Sequence, residues 1–411
     1  MLGQEILRRL DQAGDCSWPG PGVTRTFCSD EHRRVLPLIE HWMHRAGLAA
    51  ELDAAGNLVG RCPRAQSGEP TLILGSHQDT VVEGGKYDGM LGVVLPLVAL
   101  EALANRGTTL PYGIEVVAFG DEEGTRFQST LVGSKALAGD FDHAMLEARD
   151  AEDVSMRDAL RDFGGDPEAI DGLAREASRT LGFVEVHIEQ GPLLEQRALP
   201  VGVVTAITGI ERHRVTVIGK AGHAGTTPMA GRRDALVGAA WMVVEVDRLL
   251  NEIEDFVGVV GKLEVRPNAV NVIPAAVEFT LELRSPQGEI RQQGARQVMD
   301  AVTDIARERG LALDIECTYR AEGVPCAEWI IAALERASEG CGQPPFRLFS
   351  GAGHDGLAMH SLTDIGMLFV RCRDGLSHHP DEAISAADAE VAAQVLMRFL
   401  EDLPATLEAR G

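Results

Sequence analysis

Two carboxylates stand side by side at Glu122-Glu123, within Gly120-Asp121-Glu122-Glu123-Gly124, where the apolar run Tyr112–Phe119 gives way to charge. That run, with Ile114, Val116, Val117, Ala118 and Phe119, predicts a strand buried on both faces. Adjacent acids at the end of such a strand cost free energy unless something pairs with them. In a strand-to-loop turn their side chains leave on opposite sides. One can then bind a cation while the other acts as a base on whatever that cation holds. An isolated acidic pair is ordinarily a solvated turn, so the weight of the argument falls on other residues.

Four further segments carry metal-ligand chemistry, each just after a predicted strand or in a glycine-rich loop. His77 and Asp79 form His-x-Asp after the apolar Thr71–Gly75, a spacing in which the acid can orient the ring of a ligating His. Asp88 lies in Gly84-Gly85-Lys86-Tyr87-Asp88-Gly89, His187 closes the strand-like Val184–Glu189, and His378 follows the last apolar run in Ser377-His378-His379-Pro380. A lone His near a strand end is usually structural; several such positions together are harder to explain that way. Mixed imidazole and carboxylate donors suit Zn, Mn, Co or Ni better than Mg or Ca. Five donors exceed what one tetrahedral ion needs, and an Asp bridging two ions about 3.5–4 Å apart is the economical arrangement.

The elements that must position these residues are legible as two textures. In the first and last parts of the chain, strands (Thr71–Gly75, Tyr112–Phe119, Val184–Glu189, Gly366–Val370) alternate with helices (Glu5–Gln12, Asp30–Ala46, Leu91–Leu103, Glu328–Glu339, Ala386–Leu403). Polar residues collect past the strand ends. This pattern predicts an open α/β sheet with its site at the carboxyl edge. Near Gly209 strict alternation takes over in Arg212–Ile218, Ala276–Arg284 and Ala312–Tyr319, with helical segments at Arg232–Glu252 and Glu289–Arg309. An antiparallel sheet with one wet face and helices on the other is expected there. The predicted organisation is residues 1–208 and 324–411 as one domain, interrupted by an inserted α+β domain at 209–323.

Bulk composition narrows the partners. The formal charge of −24 over 411 residues argues against nucleic acid or an anionic membrane surface. No run approaches a membrane span, and the amphipathic N-terminus lacks a signal-peptide block. Seven cysteines without Cys-x-x-Cys spacing point to a reducing cytoplasm.

Taken together, the motifs resemble the M20 metal amidohydrolases, in particular the hydantoinase/carbamoylase branch with its N-carbamoyl-L-amino acid hydrolases and allantoate amidohydrolases. The resemblance spans nearly the whole chain. It rests on Gly75-Ser-His-Gln-Asp-Thr80, Tyr87-Asp-Gly89, Gly120-Asp-Glu-Glu-Gly124, His187-Ile-Glu-Gln-Gly-Pro192, Gly222-His-Ala-Gly-Thr-Thr-Pro228, Asn268-Ala-Val-Asn-Val-Ile-Pro274 and Ser377-His-His-Pro380. It implies a zinc-peptidase-like catalytic domain with an open mixed sheet, and a dimerisation or lid role for the insert. It implies two divalent ions, one held by His77, Asp88 and His187, the other by Asp88, Glu123 and His378, with Asp88 bridging. Glu122 would be the general base and His223 an oxyanion donor. Gln190, Asn271, Arg284, Gly353 and His354 would meet the substrate, Asp79 would stand behind His77, and the protein would be a homodimer. By the Ser-His-x-Pro register His378, not His379, is the ligand. His187, where aminopeptidase-like relatives carry a carboxylate, marks the carbamoylase side. The implied substrate is a small ureido or amide carboxylate: an N-carbamoyl-L-amino acid, with allantoate as the alternative. A metallopeptidase and a metal-binding protein without catalysis are further readings; an intact Glu122 opposes the last.

Overall fold

The computed structural model describes residues 1–410, which form two compact units, residues 1–205 with 325–410 and Ala206–Val324. In the first unit, four neighbouring strands run parallel: Gly113–Phe119, Thr71–His77, Thr180–Ile188 and Ile365–Val370. Leu58–Arg61 and Ala49–Leu52 extend the sheet antiparallel on one side, and Val201–Ile207 does so on the other. Every residue of Gly113–Phe119 and Ile365–Val370 is buried, as parallel strands covered on both faces require. The helix Met90–Asn105 is apolar nearly all round and packs on Thr71–His77, which is how a helix reads when no face meets water. A second cluster, including Phe27, Phe127, Leu160 and Phe163, forms a satellite core. This is the predicted open α/β sheet, and the polar strand ends lie along its carboxyl edge.

The second unit is a four-stranded antiparallel sheet in the order Ala312–Ala321, Gly209–Ile218, Ala276–Ser285, Val257–Arg266. Its inward residues Val215, Val217, Val277, Phe279, Leu281 and Leu283 pack against the helices Ala235–Glu252 and Gly288–Glu308. The alternation of Ala276–Ser285 is complete, buried residues taking every second position. The edge strand Val257–Arg266 was not expected from the sequence. It is exposed along most of its length and interrupted by Gly258 and Gly261, so no period-2 pattern develops. A two-stranded pairing of Gly222–His223 with Val272–Ile273 completes the unit. Among the described residues no helix is long and apolar enough to cross a membrane, and all seven cysteines are free.

Candidate metal centre

The carboxyl ends of the parallel strands deliver His77, the Asp121–Glu123 turn and His187 to one place, because neighbouring parallel strands end side by side. His77 is the last residue of its strand. Its Nδ1 donates to the Asp79 carbonyl at 3.0 Å, and His187 Nδ1 donates to the Ile188 carbonyl at 2.9 Å. A carbonyl only accepts, so both rings carry a proton on Nδ1 and turn Nε2 inward. The two Nε2 atoms lie 3.3 and 3.2 Å from the same oxygen, Asp88 Oδ1. The other oxygen, Asp88 Oδ2, lies 3.5 Å from His378 Nε2, which in turn lies 3.4 Å from Glu123 Oε1.

Each of these close approaches needs a positive charge, a proton or a metal ion, between ring nitrogen and carboxylate oxygen. A tetrahedron with metal–ligand bonds of about 2.0–2.1 Å has edges of about 3.3–3.4 Å, the spacing seen here. His77–Asp88–His187 and Asp88–Glu123–His378 are both groups able to hold a metal ion, and Asp88 belongs to both. The electrostatics agree. Burial opposes charge on His77, yet the carboxylates of Asp88, Glu122 and Asp79 outweigh it and hold the imidazole well above its ordinary value. Burial and then the charge of Asp88 push Glu123 up to about 8. Burial, with Glu123 and Asp355 nearby, holds Glu122 well above the usual carboxylate range. A surplus of carboxylates in a desolvated space asks for cations.

Four positions here have positive φ: Gly89 at 66°, Asp121 at 55°, Gln190 at 58° and His378 at 55°. Gly89 is required twice over, since a Cβ there would stand 2.4 Å from the His77 ring. Its N–H also donates to His187 Nε2 at 3.1 Å.

The remaining expected residues fall as follows. The Asp79 carboxylate is 3.8 Å from His77 Nδ1 and accepts instead from the N–H groups of Glu122 and Glu123, at 3.1 and 3.2 Å. The ring is thus oriented by the Asp79 main chain, while the side chain shapes the Glu122-Glu123 turn. Gln190 Nε2 donates to Asp88 Oδ2 at 2.9 Å, and Ser377 Oγ bonds the same oxygen. Gly353 adjoins Glu122, whose Oε1 would be 3.7 Å from a Cβ placed on that glycine. His354 lies beside His187. Its ring is buried, pairs with Ser350 Oγ at 2.7 Å and packs edge-on against His187 at 4.5 Å, so its side chain buttresses His187. His379 turns away from the cluster and accepts from the Asp381 N–H. His223, Asn271 and Arg284 lie in the second unit. His223 and Asn271 are exposed, and Arg284 takes Glu282 through Nε and Nη2 at 2.8 and 2.7 Å.

Sequence reasoning passed over Glu185, which is fully buried beneath His187 and accepts from Ser76 Oγ at 2.7 Å. The signal was present: an acid inside Val184-Glu185-Val186, a strand buried on both faces, needs a partner.

The carboxyl edge of this α/β sheet gathers three imidazoles, an Asp common to two donor groups and paired glutamates, a set able to hold metal ions beside an acid–base group. The chain belongs to peptidase family M20/M25/M40, whose sequence profile matches residues 73–402. It is 40% identical to an N-carbamoyl-L-amino acid amidohydrolase of Geobacillus stearothermophilus, over 96% of this chain and 97% of that one. It is 37% identical to an allantoate deiminase of Arabidopsis thaliana, over 98% of this chain and 82% of that one. A solved structure described as an amidase of the hydantoinase/carbamoylase family, from Burkholderia multivorans, superposes with a TM-score of 0.90 at 31% identity, covering 97% of both chains.

Proposed function

We propose that this chain hydrolyses the linear C–N bond of an N-carbamoyl-L-amino acid or a related ureido carboxylate. The observation that carries the reading is Glu122 standing beside a cluster of imidazole nitrogens and carboxylate oxygens that shares Asp88 between two three-residue groups. The relatives' names support the bond and the substrate class. His77, Asp88 and His187 would hold one divalent ion, and Asp88, Glu123 and His378 a second, with Zn, Mn, Co or Ni as the metals such donors suit. When bound, the ions supply Lewis acidity and lower the pKa of water from about 15.7 toward neutrality.

The protein's own residues do the rest. Glu122, its turn fixed by the bond from its N–H to Asp79, takes a proton from the attacking water. As the C–O bond forms and the C–N bond breaks, Glu122 hands that proton to the leaving nitrogen. The products are the amino acid and carbamic acid, which falls apart to ammonia and carbon dioxide. His223 is the proposed oxyanion donor, and Arg284, with Asn271, the proposed contact to the substrate's polar groups. Gln190, Gly353 and His354 complete the proposed substrate contacts.

The inserted unit is proposed to pair with a second copy. The helix Ala235–Glu252 presents Val237, Trp241 and Val244 to solvent on one stripe, and the edge strand Val257–Arg266 leaves one hydrogen-bonding side open.

The test is turnover of N-carbamoyl-L-amino acids and of allantoate by Mn-loaded protein, with free amino acid and ureidoglycine assayed separately and a chelated control. Chelator-sensitive release of free amino acid supports the reading. Turnover of allantoate alone would move the substrate to the second relative's class. No turnover of either, with ions bound, would overturn the substrate assignment.

A further inference from the structure

Glu382 lies four residues beyond His378 in the same turn and is buried. Its Oε1 accepts two main-chain bonds from a distant loop, Tyr87 N–H at 2.9 Å and Asp88 N–H at 3.0 Å. Its own N–H donates to the His379 carbonyl at 3.1 Å, which closes the turn that presents His378. Space for the carboxyl exists only because residue 85 is glycine: a Cβ there would come within 2.2 Å of Glu382 Cδ and Oε1. One short segment thus ends in His378 on one side and grips the backbone of Asp88 on the other. The two side chains so linked face each other at 3.5 Å.

We propose that Glu382 is a positioning residue that fixes the Asp88 loop against the His378 turn and so sets the spacing of the shared ligand. The proposal rests on the reading of Asp88 and His378 as metal ligands. A carboxyl oxygen accepting two adjacent N–H groups holds a loop in one conformation, and supporting partners of this kind typically change metal affinity by about 10–100-fold when removed. The negative charge is not needed for this job, only the acceptor, so an amide retains it.

The experiment measures Mn2+ binding to the full chain after chelation and dialysis, with free Mn2+ counted by electron paramagnetic resonance. Wild type, Glu382→Gln, Glu382→Ala and Gly85→Ala are compared, with circular dichroism to confirm folding. The expected result is affinity within about threefold of wild type for Glu382→Gln, and a loss of about 10–100-fold for Glu382→Ala. Gly85→Ala, which displaces the carboxyl without removing it, should lose affinity similarly and serves alone if Glu382→Ala fails to fold. Unchanged affinity in folded Glu382→Ala or Gly85→Ala would overturn the clamp while leaving the metal site intact. Equal losses in the Gln and Ala variants would overturn the two-acceptor role. If wild type itself binds no Mn2+, the metal reading falls, and the clamp with it.

Discussion

At the scale of the residue, the proposed chemistry turns on a division of labour between Glu122 and Glu123. Glu123 reaches 3.4 Å from His378, whereas Glu122 lies beside Gly353 and outside both of the Asp88-centred groups. Replacing Glu122 by Gln removes the proposed proton acceptor and keeps the shape. Turnover should fall by about 10²–10⁴-fold while the bound-metal content stays at the wild-type level, measured by elemental analysis beside a steady-state assay. Retained turnover would remove Glu122 as the base. A variant that also lost its metal would place Glu122 among the ligands.

At the scale of the element, the site depends on turns that ordinary residues avoid. Gly89→Ala puts a methyl group 2.4 Å from the His77 ring at a backbone φ of 66°, where an L-residue is already strained. The expected outcome is a destabilised protein with weakened metal binding, read from thermal unfolding with and without Mn2+. Wild-type stability and affinity would show that the loop has room to shift. A second element-scale prediction concerns His32, buried in the helix Asp30–Arg45, where Nδ1 accepts from the Cys28 N–H at 3.0 Å and the ring packs on Phe163. Burial, then the charge of Arg25, pulls His32 down to about 3. Below its unfolded value of about 6.5 the unfolded chain therefore takes up a proton that the folded chain refuses. Stability falls as the pH drops toward 3, by about 2 kcal/mol between pH 7 and pH 5 from this group. Denaturant unfolding at both pH values should show that loss diminished in His32→Gln; an identical pH slope would assign the acid sensitivity elsewhere.

At the scale of the whole molecule, the apolar stripe on Ala235–Glu252 is the feature that a lone chain does not explain. Trp241 is 56% exposed and Val244 64% exposed on a helix whose other face is packed. A charge placed on that stripe should prevent pairing. Trp241→Glu is expected to sediment as a monomer where wild type sediments as a dimer, with the fold intact by circular dichroism. A monomeric wild type would overturn the pairing outright.

The sequence by itself determined the periodicities and the inventory of donors. Parallel strands buried on both faces read as apolar runs, Ala276–Ser285 alternated plainly, and each ligand-type residue followed a strand or sat among glycines. These are local properties, set by side-chain polarity against a period of two or 3.6. The tertiary structure decided which atoms meet. No spacing along the chain indicates that Asp79 serves the Glu122-Glu123 turn with its carboxylate and His77 with its carbonyl, or that His354 supports His187 from below. Nor does it show that Glu382 reaches across to the backbone of Asp88. Asp79 and Glu122 are 43 residues apart and Glu382 and Asp88 are 294 apart, and packing selects among the orientations that local sequence leaves open. The strand Val257–Arg266 was missed for the complementary reason: its place comes from a ladder with Ala276–Ser285, while its own exposed residues carry no pattern.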